Sequence, residues 1–459
     1  MGLLLLASDL AALVLAGAAS FGLRRWWDGG VDPGLYLSLW PLLGIFALFY
    51  ALAGLYPGVG VAPAEELRRI AQATTLVYLL LGVATFMFKE GETYSRAVFL
   101  TAWAFSVALV PLGRAWVRHL FARKEWWGYP VAILGGGETG RMVLRALQRQ
   151  PGLGLKPVVV LDDDPEKHGL LEGVPVVGGI ELAPVLVREL GVQYAIVAMP
   201  GVPRARLLEI LEEHGSAFTH LVLIPDLFGF PSLWVSAKDL GGTLGLEVRQ
   251  RLLLPGPRLA KRALDLGLAV VVGLLLSPLL VLIALLIKLD SPGPVFYGQV
   301  RIGQGGRRFK VWKFRSMVQD ADRVLREYLE RHPELREEWE RYQKLRNDPR
   351  VTRVGRFLRK TSLDELPQLW NVLRGEMSLV GPRPFPHYHL EKFSPAFRRL
   401  RQSVLPGLTG LWQVSARSEG DLEVQEALDT YYIRNWSLWL DLYILARTAW
   451  VVLTRKGAY

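Results

Sequence analysis

The 459-residue chain has no cysteine, which excludes disulfides, thiolate metal sites and a cysteine nucleophile. A convincing secretory signal is also missing: Met1-Gly2-Leu3 carries no basic n-region, and Ala16–Ser20 resembles a cleavage site only superficially. No nucleic-acid-binding motif accompanies the net charge of +11, so no nucleic acid is expected as partner. An arginine-rich basic excess suits a lipid surface or a phosphate-bearing substrate instead. The chain is 51% hydrophobic, high for a soluble protein and low for a polytopic transporter. Soluble domains joined to a membrane region fit best.

Apolar stretches at about 2–23, 35–56, 70–88 and 97–120 are each long enough to cross a hydrocarbon core at about 1.5 Å per residue. Arg24, Arg25, Arg68, Arg69, Lys89, Arg118, Arg123 and Lys124 flank them, a bias toward placing both ends of the bundle in the cytoplasm. Few polar residues lie mid-span, so anchoring is expected rather than transport.

Residues 128–226 alternate short apolar runs with helical patterns, as a parallel-sheet α/β domain does. Strands are expected at 129–134, 157–163, 193–200 and 220–226. Gly135, Gly137 and Gly140 form G-x-G-x-x-G after the first strand, and Asp162 stands where a ribose-binding acid belongs. The competing reading is that these glycines only pack strand against helix. Residues 227–257 read as a linker with short strands.

A second apolar segment, 266–287, follows Arg258, Lys261 and Arg262 and contains Ser277-Pro278 near its midpoint. Hydropathy alone makes it a fifth span. Proline frees one helical carbonyl, which a neighbouring serine hydroxyl satisfies. Either a kinked span or a bend that returns the chain fits.

Further on, Tyr297–Met317 reads as a hairpin turned at Gly303, Gly305 and Gly306, bearing the cations Arg301, Lys313 and Arg315. Residues 320–346 are densely charged with helical spacing, a solvated face. Then comes TSLDELPQLWNVLRGEMSLVGPRP, 361–384. Leu366, Leu369, Trp370 and Leu373 make one apolar helical face. Ser362 and Glu365 match a capping box, but Pro367 would then sit where its missing N–H is needed. A cap at Asp364 removes that conflict. Neighbouring helix positions diverge, so Asp364 and Glu365 have different jobs. The aromatic, arginine-bearing stretch 430–456 suits a membrane interface, with ordinary core packing the equal alternative.

The 361–384 stretch, together with VFYGQVRIGQGGRRFKVWKFRSM (295–317), NDPRVTRVGRFLRKTS (347–362) and PGLTGLWQVSARS (406–418), resembles the bacterial sugar transferases, the monotopic phosphoglycosyl transferases. The N-terminal membrane region resembles that of the large members. The resemblance implies a four-helix transmembrane region over 1–125, a Rossmann-like domain of CoA-binding type over 126–230 and a linker over 231–257. A mostly helical catalytic domain would cover 258–459, with a re-entrant membrane helix at about 263–289 broken at Ser277-Pro278.

It further implies transfer of a hexose-1-phosphate, galactose first and glucose next, from a UDP-sugar to undecaprenyl phosphate with release of UMP. Asp364 would be the nucleophile, staying ionised and aimed by a helix dipole. Glu365 would hold Mg²⁺, and Arg301, Lys313, Arg315 and Arg383 would bind phosphate. Membrane lipid and a second copy of the chain, as a homodimer, are the expected partners. The site is expected at the cytoplasmic face of the bacterial inner membrane, serving polysaccharide, O-antigen or capsule assembly. NAD is not expected. A membrane-anchored NAD-dependent dehydratase or epimerase is an alternative, but the only Tyr-x-x-x-Lys pair, Tyr388/Lys392, lies outside the α/β region. A non-enzymatic scaffold is the other.

Overall fold

The computed structural model describes residues 1–28, 32–88, 94–213, 217–225, 235–239, 241, 244–248, 252, 255–332, 336, 348–415 and 422–454. Lys89, much of the 227–257 linker, most of 333–347 and the ends of the 406–418 and 430–456 stretches lie outside the described residues. The chain divides into two compact units, Met1–Phe228 and Gly229–Tyr459.

The first unit opens with α1 (Gly2–Asp28), α2 (Pro33–Leu37), α3 (Leu42–Leu52), α4 (Pro63–Met87) and α5 (Arg96–Phe121). Leu13, Phe46, Tyr50, Ile70, Val77 and Val110 interlock at their centre. The second apolar stretch is not one helix as its hydropathy suggests. Pro33 starts α2 under an Asp32 cap, and Pro41, without an N–H, precedes α3. Successive turns at Ser38–Pro41 join the two, and Pro33–Leu52 together is long and apolar enough to cross a membrane. The bundle is also more polar inside than expected. Arg114, fully buried, donates to Asp9 Oδ1 at 2.8 Å and Oδ2 at 2.6 Å and to Glu66 Oε1 at 2.7 Å. Arg118 donates to both oxygens of Glu66, and Tyr56 to Asp9 at 2.5 Å. Two cations face two carboxylates whose four oxygens all accept, although Arg118 Nε has no hydrogen-bond partner.

Next come β1 (Tyr129–Leu134), α6 (Glu138–Arg149), β2 (Leu155–Leu161), β3 (Gly169–Leu171), β4 (Val174–Gly178), α7 (Ala183–Leu190), β5 (Tyr194–Val197), α8 (Arg204–Glu213) and β6 (His220–Leu223). They form one sheet in the order β3-β4-β2-β1-β5-β6, parallel except for the β3–β4 hairpin. That hairpin escapes the sequence reading because three residues are too few for a periodic signal. Both faces carry apolar residues, Leu134 and Leu161 on one, Ile133 and Val160 on the other, as a sheet covered on both sides requires.

The second unit begins with the hairpin β7 (Val235–Asp239) and β8 (Leu244–Val248), then α9 (Pro255–Asp290). β9 (Phe296–Ile302) and β10 (Arg308–Phe314) pair antiparallel, with Gly305 and Gly306 at φ +65° and +76° making the turn. The rest is mostly helical: α10 (Ala321–Arg331), α11 (Arg353–Thr361), α12 (Gln368–Arg374), β11 (Ser378–Val380), α13 (His387–Leu390), α14 (Pro395–Gln402), β12 (Gly407–Thr409), α15 (Leu411–Ser415), α16 (Leu422–Arg434) and α17 (Leu438–Thr454).

Helix α9 stays helical through Pro278, and Ser277 Oγ donates to Leu274 O at 2.8 Å, the carbonyl that the proline deprives of a partner. Its two ends are docked on the same unit. Lys261 donates to Asp441 at 2.7 Å and to Val380 O at 3.0 Å, and Arg262 to the carbonyls of Val372 and Leu373. At the far end Ile283 and Ile287 pack on Phe314 and Leu358, and Asp290 accepts the Val354 amide at 2.9 Å. Between them Leu274 and Leu275 are 69% and 73% exposed, surface that lipid would cover. Leaving that middle in water costs far too much.

Candidate active site

The carboxylate pair is presented by a break between two helices. Ser362, at φ +57°, ends α11, a 3-10 turn covers Leu363–Glu365, and α12 begins only after Pro367. This corrects the cap expected at Asp364: that residue lies inside the tight turn. Pro367, at φ −60°, stands just ahead of α12, where no amide is required of it. The apolar face is also rotated from the expected one. Gln368, Leu369, Asn371 and Val372 point inward, whereas Trp370 is 57% exposed.

Asn371 explains the rotation. Its side chain accepts Trp312 N at 3.1 Å and donates to Lys310 O at 2.7 Å, pairing with β10 as a neighbouring strand would. That clamp sets Lys313, one residue on, against the 3-10 turn. Lys313 Nζ donates to Glu365 Oε1 at 2.8 Å and approaches Asp364 Oδ2 to 3.9 Å. Arg383, on the loop after β11, donates to the same Glu365 oxygen at 2.7 Å. Nothing in the sequence marks Asn371, because a buried amide serving a strand edge has no periodicity.

The two acids differ in charge behaviour. Burial pushes the Asp364 carboxyl above its ordinary value, with Lys313 opposing and the Glu365 charge reinforcing. Burial acts the same way on Glu365 but is outweighed by Arg383 and Lys313, which hold it well below the usual carboxylate range. The expected aiming of Asp364 by a helix dipole is corrected: a single short turn supplies little dipole, and desolvation rather than a dipole sets the direction of its shift.

A cavity of about 180 Å³ is lined by Arg301, Lys313, Gln368, Arg383, Tyr388 and His389 among others; neither acid lines it, but Lys313 and Arg383, the two cations bonded to Glu365, do. Arg301 donates to Gln299 at 2.5 Å, while its buried Nη1 has no partner. Burial, with Arg383 as a like charge, holds the Arg301 guanidinium below its ordinary value. Three cations, Arg301, Lys313 and Arg383, thus line one cavity. A larger one, about 300 Å³, lies beside the start of α9 without either acid.

Arg315 does not join this group. Its guanidinium donates to Ser291 O at 2.6 Å, Pro292 O at 2.8 Å and Ser291 Oγ at 2.9 Å, closing the end of α9. Arg359, unmarked in the sequence reading, donates to Ser316 Oγ at 2.9 Å and brings positive charge toward Asp364.

In the sheet domain, Gly135 has φ +109° and a Cβ there would press on Ala198 O and the Met199 side chain; one at Gly140 would strike Gly135 O. Gly137 has open space around it. Asp162 accepts Gly136 N at 2.7 Å and Asp164 N at 3.0 Å and pairs with Lys167. The acid that suits a ribose is engaged in shaping the glycine turn.

The family of bacterial sugar transferases matches residues 256–455, and a CoA-binding domain matches 51–225. The UDP-galactose-lipid carrier transferase of Erwinia amylovora is 38% identical over 399 residues, 86% of this chain and 82% of that one. The undecaprenyl-phosphate galactose phosphotransferase of Salmonella typhimurium is 36% identical over 400 residues, again 86% and 82%. The UDP-glucose:undecaprenyl-phosphate glucose-1-phosphate transferase of Escherichia coli is 33% identical over 444 residues, 93% and 90%. An acid pair with matched cations, apolar helices and relatives along most of its length identify one lineage: the chain belongs to the bacterial sugar transferase family.

Proposed function

We propose that the chain transfers a hexose-1-phosphate from a UDP-sugar to undecaprenyl phosphate and releases UMP, with galactose favoured and glucose next. The names of its relatives support the substrates. The observation that carries the chemistry is a part-buried Asp364 3.9 Å from Lys313, a cation that also lines a cavity with Arg301 and Arg383.

The Asp364 carboxylate attacks the sugar-bearing phosphorus, and the bond to the UMP oxygen breaks. An acyl-phosphate to the sugar remains on the protein. An oxygen of the polyprenyl phosphate then attacks the same phosphorus, and the Asp364 carboxylate leaves unchanged. Desolvation makes Asp364 a stronger base than an exposed aspartate, and the Lys313 charge opposes that rise. Arg383 spreads two N–H donors toward phosphate, and Arg301 supplies a second cation for the departing nucleotide.

A hard divalent ion such as Mg²⁺ fits Glu365 through Oε2, since Oε1 already accepts Lys313 and Arg383, with phosphate oxygens completing the shell. Bound there, it would neutralise charge on the transferring phosphoryl group. Among the described residues no cluster of three metal-ligating side chains exists, so substrate must bring ligands of its own.

Helix α9 enters the membrane and returns, which keeps the catalytic residues at the cytoplasmic headgroup level of the inner membrane. Docking of both its ends on one unit supports the bend. Single cysteines at Leu259 and Leu289, 71% and 84% exposed, test it by labelling in intact cells. Equal accessibility is expected, and opposite accessibility overturns re-entry. UMP release on mixing the protein with UDP-hexoses, Mg²⁺ and undecaprenyl phosphate tests the reaction and names the sugar. Absence of UMP with every donor refutes it.

A further inference from the structure

The loop that carries Arg383 has prolines at 382, 384 and 386, so alternate residues lack an N–H and it builds no ladder of its own. Its carbonyls are tied from outside. Pro382 O accepts Gly407 N at 2.9 Å, and Phe385 O accepts Ile302 N at 3.0 Å. The carbonyl between them, that of Arg383 itself, accepts a side chain instead: Arg401 Nη2, at 2.5 Å.

Arg401 comes from α14 and is 7% exposed. Its guanidinium lies 4.6 Å from the ring centre of Phe385, 5.7 Å from Phe393 and 5.8 Å from Phe397. Asp429 of α16 sits 3.4 Å from its Nε, and Arg401 Nη1 and Asp429 Oδ2 have no hydrogen-bond partner. An apolar residue would fill this aromatic cluster without two desolvated charges. A cation is kept where it grips the backbone of the residue whose side chain meets Glu365.

We propose that Arg401, tethered by Asp429, is a positioning residue that fixes the backbone of Arg383 and thereby aims its guanidinium at Glu365 and at the substrate phosphate. The positioning role rests on the phosphoryl-transfer function proposed above, and its test has an arm independent of turnover.

Hydrogen exchange on the full-length protein in detergent should show the Ile302 and Gly407 amides, which donate to this loop's carbonyls, exchanging about tenfold faster in Arg401→Gln, the loss of one charged hydrogen bond. Unchanged exchange overturns the proposal whether or not the protein turns over any UDP-sugar. In the kinetic arm, Arg401→Gln should lower kcat/KM for the donor about tenfold, but less than about twofold in an Arg383→Lys background, since the two act as one unit. Equal losses in both backgrounds mean a merely structural role. Should Arg401→Gln fail to fold, Arg401→Lys serves both arms, because one ammonium keeps the charge and cannot hold the carbonyl and Asp429 together.

Discussion

Two buried clusters in this protein use the same residue types to opposite ends. In the N-terminal bundle, Asp9 and Glu66 face Arg114 and Arg118, and all four carboxylate oxygens accept hydrogen bonds. In the second unit, Lys313 and Arg383 converge on one oxygen of Glu365, Asp364 meets Lys313 without a hydrogen bond, and Arg301 keeps an unpartnered nitrogen. Saturated carboxylates hold helices together where water is scarce, even with Arg118 Nε left without a partner. In the second cluster Arg301, Lys313 and Arg383 line a cavity, which leaves their attraction available for an anion. A cavity lined by cations, rather than charge itself, sets the second cluster apart.

The sharpest way to break this contrast is Asp364→Asn. Labelled donor should no longer transfer its phosphosugar to the protein, and turnover should fall by at least about a thousandfold, as for other nucleophile deletions. Thermal stability should not fall, because burial disfavours the Asp364 charge. Retained turnover would remove the nucleophile assignment.

Arg114→Met should do the reverse. It leaves Asp9 buried with no cation and Glu66 with Arg118 alone, at a cost of about 3–5 kcal/mol in unfolding measurements, while folded protein still accepts label from donor. Lys313→Met should lower kcat and move the acid limb of the pH–rate profile to higher pH, because Lys313 holds the Asp364 pKa down. An unmoved limb would show that Asp364 does not govern it. Arg315→Lys should destabilise the protein by about 1–3 kcal/mol with donor KM within about twofold, as expected for lost contacts to carbonyls at the end of α9. A raised KM at unchanged stability would return Arg315 to the phosphate site.

The smallest effect is on acid stability. Glu365 is held below its unfolded value, so its stabilisation is complete above about pH 4.5 and is lost as pH falls further. Glu365→Gln should flatten the stability curve below that pH, readable in melts between pH 3 and 7.

Much of this was legible in the chain. Hydropathy marks apolar helices, although Pro41 breaks the second stretch where only local backbone chemistry decides. Alternating apolar runs announce the parallel sheet, and glycines at 305 and 306 announce the β9–β10 turn. Asp364, Glu365, Lys313 and Arg383 stand in sequence motifs and meet in space. Arg315 belongs to the same motif as Lys313, and strand alternation would put the two on one face, but β10 ends at Phe314 and beyond it Arg315 turns to the carbonyls at the end of α9.

Composition and periodicity by themselves determined where the chain is apolar, where it alternates and which residue types it has for phosphate chemistry. These are properties of neighbours along a backbone. Which acid is held ionised and which is made basic, which arginine lines the cavity and which closes the end of a helix, and what Asn371 and Arg401 hold, were decided only by tertiary structure. Desolvation and pairing depend on partners tens of residues away, and no local pattern encodes them.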